Sequence, residues 1–406
     1  MDSLKNGMLE GRAKIKGGEK MKKLIATALT AAMVVGSCAG TLPVLAGSTV
    51  ESAAEKTSDR GTAADAGLIP DGINPSDYHL GICIHSMDNE YWAQEAQGAK
   101  LAAEYYGLNC DILTCDSDDN KQLQGIKDYI AQYGDKACFV VDPSSTANTV
   151  NIAETCEDAG VFVTILAHRA DGLYPKDYPH FVVSLMLDDM AIGKATAKAL
   201  FDSIGGEGEV CELQGLLGDD SATNRHAAFQ AALKDYPNIK VVDSQTASWS
   251  QSDAMTLAEN WIVNYPDLKG IYSANDTMAL GAVEALKNAG KNGTVKVSGC
   301  DGIEAALNAV KDGDMVITNA NDGYCIAGYG AAYAIQAALG ILDPTTIPDN
   351  ERLIFCKTTL VTADNADDII NKFIKTGDPG YDYSDLSYCI SAYQEDTTSD
   401  VESAAS

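Results

Sequence analysis

From His79 onward, short apolar runs bounded by polar or glycine residues alternate with segments of helical period, and no other feature constrains the fold as much. The first series runs HLGICI, a helix over Tyr91–Tyr106, CDILTC, a helix over Asn120–Tyr133, ACFVV, a helix over Thr146–Ala159, VFVTILA and HFVVSLM. A second series repeats the grammar: a helix over Ala191–Ser203, EVCEL, a helix over Ala222–Leu233, IKVVDSQ, a helix over Asp253–Val263, GIYSA, a helix over Met278–Ala289, VKVSG, a helix over Glu304–Val310, and MVITNA. Strands that are apolar on both faces and alternate with helices build βαβ units and a covered parallel sheet. The expected fold class is α/β, with two doubly wound parallel-sheet lobes in tandem. At 406 residues and 46% apolar content the chain can fill two cores of ordinary size.

Ahead of this region, Lys22 and Lys23 precede the apolar run Leu24 to Val35, a charged start and a hydrophobic stretch of the kind found in secretory signals, with Met21 as the expected initiator. The run is too short to span a bilayer. Val35-Gly36-Ser37-Cys38 resembles a lipobox that would place a lipid on Cys38, and Pro43-Val44-Leu45-Ala46 resembles a cleavage site after Ala46. Both readings put the protein outside the cytoplasm, in the cell envelope, anchored or free. Residues 47–76 are rich in Ser, Thr, Ala, Gly and Asp, which predicts a flexible tether.

Removing residues 1–46 takes away seven basic and three acidic residues, leaving 22 Lys and Arg against 55 Asp and Glu, a formal charge of −33. Such a chain does not bind nucleic acid or an anionic membrane surface. Ten cysteines follow Cys38. Cys83, Cys138, Cys211 and Cys300 fall in or at the ends of apolar runs and no C-x-x-C pair exists, so buried free thiols are expected rather than a disulfide framework or a metal site. No cofactor is implied.

In doubly wound sheets ligands bind beyond the carboxyl ends of the strands. The polar loop His85 to Glu90, ending in Tyr91 and Trp92, follows HLGICI; His168-Arg169 follows VFVTILA; a Gly/Asp loop leading to Arg225 follows EVCEL. Trp249 follows IKVVDSQ, Asn275-Asp276 follows GIYSA, Cys300-Asp301-Gly302 follows VKVSG, and MVITNA runs into Asn321. Aromatic faces stack on the C–H faces of a sugar ring, while Arg, Asp and Asn bond its hydroxyls. Each residue also has a plainer reading. Trp261 lies at helical spacing with Ala254, Leu257, Ala258 and Ile262 and is assigned to the core. Asn275 or Asp276 can simply cap the Met278 helix, Arg225 can be a surface ion-pair partner, and His168 can stand in the pocket or behind it.

At these residues the chain resembles the type I periplasmic binding proteins of ABC importers, of the ribose- and galactose-binding kind, over His79 to Asp364. NDTMALGAVEALKNAGK, Asn275 to Lys291, is similar to the family's NDxMAxGAxxAL helix, and VSGCDG to its VGFDG; ELQGLLGDDSATNR and DNEYW are similar more loosely. The resemblance implies a sugar sandwiched by Tyr91 or Trp92 and Trp249. It also implies hydrogen bonds from Asn89, Arg169, Arg225, Asn275, Asp301 and Asn321, with His168 at the pocket. The chain departs from the pattern at His168, where the family has Asp, at Cys300, where it has an aromatic, and at Asn321, where it has Gln.

The resemblance further implies lobes of 77–187 with 322–353 and of 188–321 with 354–395, followed by a disordered acidic tail over 396–406. Three hinge strands join them near Met186–Asp189, Asn321–Asp322 and Arg352–Lys357. The implied protein is a monomer that delivers a monosaccharide to an importer permease; a sensor presenting a sugar or sugar-like signal to a receptor is the alternative. A transcription regulator of this fold needs a DNA-binding helix pair where this chain has its signal segment.

Enzyme motifs are absent: there is no Walker A loop, H-E-x-x-H or G-x-S-x-G, and no nucleophile and base pair stands out. Asp116 to Asn120 resembles a calcium loop, but Lys121 occupies the required glycine and Lys127 the bidentate Glu.

Overall fold

The structure, a computed structural model, describes residues 61–389. The signal segment, Cys38 and the acidic tail over 396–406 lie outside them. In the first lobe β1 (His79–Ile84), α1 (Glu90–Tyr106), β2 (Asn109–Thr114), α2 (Asp119–Tyr133), β3 (Ala137–Val141), α3 (Asn148–Ala159), β4 (Phe162–Leu166) and β5 (Phe181–Met186) follow one another. The chain then builds α4 (Asp189–Ser203), β6 (Glu207–Gln214), α5 (Asp220–Leu233), β7 (Asn238–Thr246), α6 (Gln251–Asn264), β8 (Leu268–Ser273), α7 (Asp276–Asn288), β9 (Lys296–Ser298), α8 (Glu304–Asp312) and β10 (Thr318–Ala320). It returns through α9 (Gly323–Ala338) and β11 (Leu353–Phe355) to the first lobe, and leaves again through β12 (Thr359–Val361) and α10 (Ala366–Ile369).

The first sheet has the order β11-β5-β4-β3-β1-β2 and the second β7-β6-β8-β9, and the pairs within both are parallel. β10 and β12 form an antiparallel ribbon, joined to the second sheet by bridges from Ser298 and Asp301. Both sheets therefore reverse direction after their first strand, at β1/β3 and at β6/β8. That reversal opens a crevice at the carboxyl ends of the strands.

The core explains the apolar runs. Strands β3 and β5 are buried at every residue, as strands covered on both faces must be. Helix α9 is buried from Gly323 to Ala337, wedged between α1 and the sheet. It approaches α1 so closely that a Cβ on Gly98 would lie 2.5 Å from the Tyr324 carbonyl oxygen. Trp261 is 1% exposed in the second core. The nine cysteines from Cys83 to Cys356 are free thiols, eight of them buried.

Two boundaries differ from expectation. The described part of the 47–76 stretch is packed: Ala63 is fully buried, and Leu68, Ile69 and Ile73 lean on the first core. Four apolar residues outweighed a polar composition. Likewise Tyr381 and Tyr383, expected with the second lobe, belong to the first core, where Tyr106 donates to the Tyr383 carbonyl at 2.8 Å.

Candidate functional site

The two crevices face each other across a narrow cavity. From the first lobe His85, Asn89, Tyr91, Trp92, Asp142 and His168 line it; from the second, Asp219, Ser221, Arg225, Trp249, Asn275 and Asp301 do. Each follows a strand or opens the next helix, the position that the fold reserves for ligands.

Two asparagines are placed by one device. Asn89 caps α1, its Oδ1 accepting from the Tyr91 backbone N–H at 2.9 Å, and Asn275 caps α7 in the same way with Met278 at 2.9 Å. Because the backbone group is a donor, the carboxamide oxygen must face it, and the nitrogen is left as the group to offer the cavity. Capping and lining are thus both done by Asn275. Its neighbour Asp276 instead accepts from Gly302 and Ile303 N–H at 2.7 and 3.2 Å and from Thr318 Oγ1, holding the loop that carries Asp301.

Arg225, 4% exposed, is no surface residue. Its Nε donates to Asp189 Oδ1 at 2.7 Å and its Nη1 to the Ala274 carbonyl at 2.8 Å, with Asp301 Oδ1 at 3.5 Å. Burial pushes the Asp301 carboxyl up from its ordinary range, against the pull of the Arg225 guanidinium. Asn321 stands behind the wall rather than in it, donating to Asp301 Oδ1 at 3.1 Å and to Cys300 Sγ at 3.3 Å. It positions the aspartate.

Trp249 sits at φ 64°, its indole N–H donating to Asp219 Oδ2 at 3.1 Å. The ring lies against bare backbone, since a Cβ on Gly215 would be 2.1 Å from its Cη2. Trp92 is backed by His85, rings stacked at 4.3 Å and 2°. Left-handed backbone also occurs at Ala167 and Asp301, φ 53° and 134°, strain of the kind that clusters at binding sites.

Arg169 is not brought to the cavity. Ala167 turns the chain so tightly that His168 N–H reaches Leu166 O at 2.5 Å; His168 then points into the cleft and Arg169 away. The guanidinium donates to the Leu173 carbonyl at 2.8 Å and lies over Tyr174. Asp142, Asp219 and Ser221 were missed by sequence reasoning and His85 was read only as the start of its loop, although each comes just after a strand or at the start of a helix, the signal that found the others.

His85, Asp142 and His168 are buried and offer ligand atoms within 4.8 Å of one another, the spacing of a metal site. The bonding of His85 argues against one. Its Nε2 lies 2.9 Å from the Pro143 carbonyl, which only accepts, so Nε2 carries the proton, and Nδ1 accepts from Ser117 at 2.9 Å. Neither nitrogen is left for a metal. Burial lowers the His85 pKa further, against the pull of Asp142, which keeps this neutral form.

The chain matches the family of the periplasmic binding protein domain over residues 80–341. The chain belongs to that family. This periplasmic binding protein is 30% identical over 289 residues to the xylitol-binding protein of Mycolicibacterium smegmatis, covering 68% of this chain and 80% of that one. It is 31% identical over 260 residues to the D-allose-binding periplasmic protein of Escherichia coli, covering 63% and 83%. A solved solute-binding protein of an ABC transporter from Actinobacillus succinogenes with bound D-allose superposes at a TM-score of 0.64 with 27% identity, covering 72% of this chain and 99% of that one. The family works outside the cytoplasm, serves ABC importers and consists of binders, not enzymes.

Proposed function

We propose that this periplasmic binding protein captures a monosaccharide or a similar polyol between its lobes and delivers it to an importer permease. The observation that carries the reading is the chemistry of the cavity. Two indoles, Trp92 and Trp249, are backed on one side, by His85 and by Gly215. Around them stand two capping asparagines with nitrogen to offer, the Arg225 to Asp301 pair, and Asp142. Such a set stacks apolar ring faces and bonds a rim of hydroxyls. The names of the relatives, which bind xylitol and D-allose, support it. In this reading Asn89, Tyr91, Trp92, His168, Arg225, Trp249, Asn275 and Asp301 touch or enclose the ligand, Asn321 acts through Asp301, and Arg169 plays no direct part.

The protein acts as a monomer, tethered through a lipid on Cys38 or released by cleavage after Ala46. A thermal-shift screen against monosaccharides and polyols tests the ligand class, because a solute present at 100 times its dissociation constant stabilises by about 2.7 kcal/mol. A raised melting temperature with one or a few sugars is expected. A response to amino acids or peptides and to no sugar would overturn the assignment.

A further inference from the structure

His168 is the point at which charge spans the cleft. Its Nδ1 lies 3.4 Å from Asp219 Oδ1, on the second lobe, and its Nε2 lies 3.6 Å from Asp142 Oδ1, on its own. All three side chains are nearly sealed from solvent. Neither Asp142 Oδ1 nor His168 Nδ1 has a hydrogen-bond partner within the protein, so this contact is electrostatic, with slack that a small closing movement would take up. A neutral imidazole carries one N–H and would turn a lone pair toward one of the two carboxylates; the imidazolium offers a proton to both. Among the described residues, two other polar contacts that cross the cleft, Asp220 N–H to Thr146 Oγ1 at 3.1 Å and Glu304 N–H to Glu90 Oε1 at 2.6 Å, use backbone donors, and of their four groups only the Glu90 carboxyl titrates, raised by burial.

We propose that Asp142, His168 and Asp219 form a proton-dependent clasp between the lobes, so that mildly acidic solution favours the closed form and tightens solute binding. The proposal rests on the two-lobe binding reading but not on the identity of the solute.

The groups facing His168 set the sign. Asp142 comes from the end of β3, Asp219 and Asp220 from the start of α5, and Asp189 from α4, the last already paired with Arg225. His85, with ring centroids 6.4 Å away, is held neutral by its burial. Burial works against charge on His168, but Asp219 and Asp142, with Asp220 and Asp189 behind them, outweigh it and raise its pKa above the ordinary 6.5. In an open cleft Asp219 is withdrawn and the pKa falls back toward the ordinary value. A group whose pKa is higher in the closed form favours closure fully below the open-form value, and loses that effect as pH rises through the closed-form value.

The test uses the full mature protein without ligand, with one dye on each lobe reporting their separation between about pH 6 and about pH 8.5. The expected result is a shorter separation at the lower pH for the wild type and a clearly smaller change with pH for His168→Gln and for Asp219→Asn, the latter keeping the cap of α5. With a solute identified by the screen, affinity should fall toward the higher pH by as much as about tenfold, the ratio that one pH unit of differential proton binding supplies. A wild-type separation that does not change with pH would overturn the clasp, as would the same pH profile in both variants. Because the separation is read without ligand, failure of the sugar assignment leaves this test standing, and failure of the clasp leaves the sugar assignment untouched.

Discussion

On the second lobe the wall of the cavity is wired before any ligand arrives. Arg225 is fixed by Asp189 and by the Ala274 carbonyl, Asp301 by Arg225 and Asn321, and Trp249 by Asp219 and its seat on Gly215. On the first lobe the buried Tyr91 hydroxyl, Asp142 and the Glu95 carboxyl meet only one another, in contacts looser than a well-formed hydrogen bond, and burial together with Asp142 pushes the Glu95 carboxyl well up. Buried polar groups left in that state cost free energy until something satisfies them. The difference suggests a division of labour. The second lobe presents a preformed surface whose ordering cost was met on folding, and the first lobe leaves Tyr91 and Asp142 at the cavity to gain firmer partners from the ligand.

The largest effect should come from breaking the wired wall. Arg225→Ala removes the partner of Asp189, 4% exposed, and leaves a buried charge uncompensated; a loss of about 3–5 kcal/mol of stability is expected, along with all measurable binding. Chemical denaturation reads the first and calorimetry the second. Unchanged stability would mean that the network is not preformed.

An intermediate effect sharpens the role of Trp249 without deleting it. Gly215→Ala places a methyl where the indole now lies, so the ring must move, while Gly215 itself needs no left-handed backbone. Affinity should fall about tenfold, roughly 1.4 kcal/mol, with a smaller loss of stability. Equal affinity by calorimetry would show that the seat of the indole does not matter to the ligand.

The smallest effect separates capping from lining. Asn275→Ser keeps an oxygen for the Met278 N–H, as good a cap as Asn, but offers no amide nitrogen. Stability should hold within about 0.5 kcal/mol, while affinity falls by the value of one hydrogen bond, about 1 kcal/mol. A loss of stability with no loss of affinity would return Asn275 to the simple capping role.

The lobes were legible because strands buried on both faces read as unbroken apolar runs, and most of the wall was legible because ligands sit where such strands end. What escaped did so for physical reasons. Helix α9, from Gly323 to Ala338, is enclosed on every side and so lacks the amphipathic period that marks a surface helix. Arg169 was placed one residue too generously: whether His168 or its neighbour points inward depends on Ala167 adopting φ 53°, which an alanine does not advertise. Asp142 and Asp219 look like ordinary loop acids, and their burial depends on two lobes meeting over them.

The central claim, that one solute is held by both walls at once, is tested most directly by small-angle scattering of the wild type and of Asp301→Ala with and without a sugar that the screen identifies. Bridging gives the ligand its differential affinity for the closed form. The wild type should become more compact on adding sugar, and Asp301→Ala should neither bind nor compact. Tight binding by the wild type with no change in its scattering would place the site within one lobe and contradict the account.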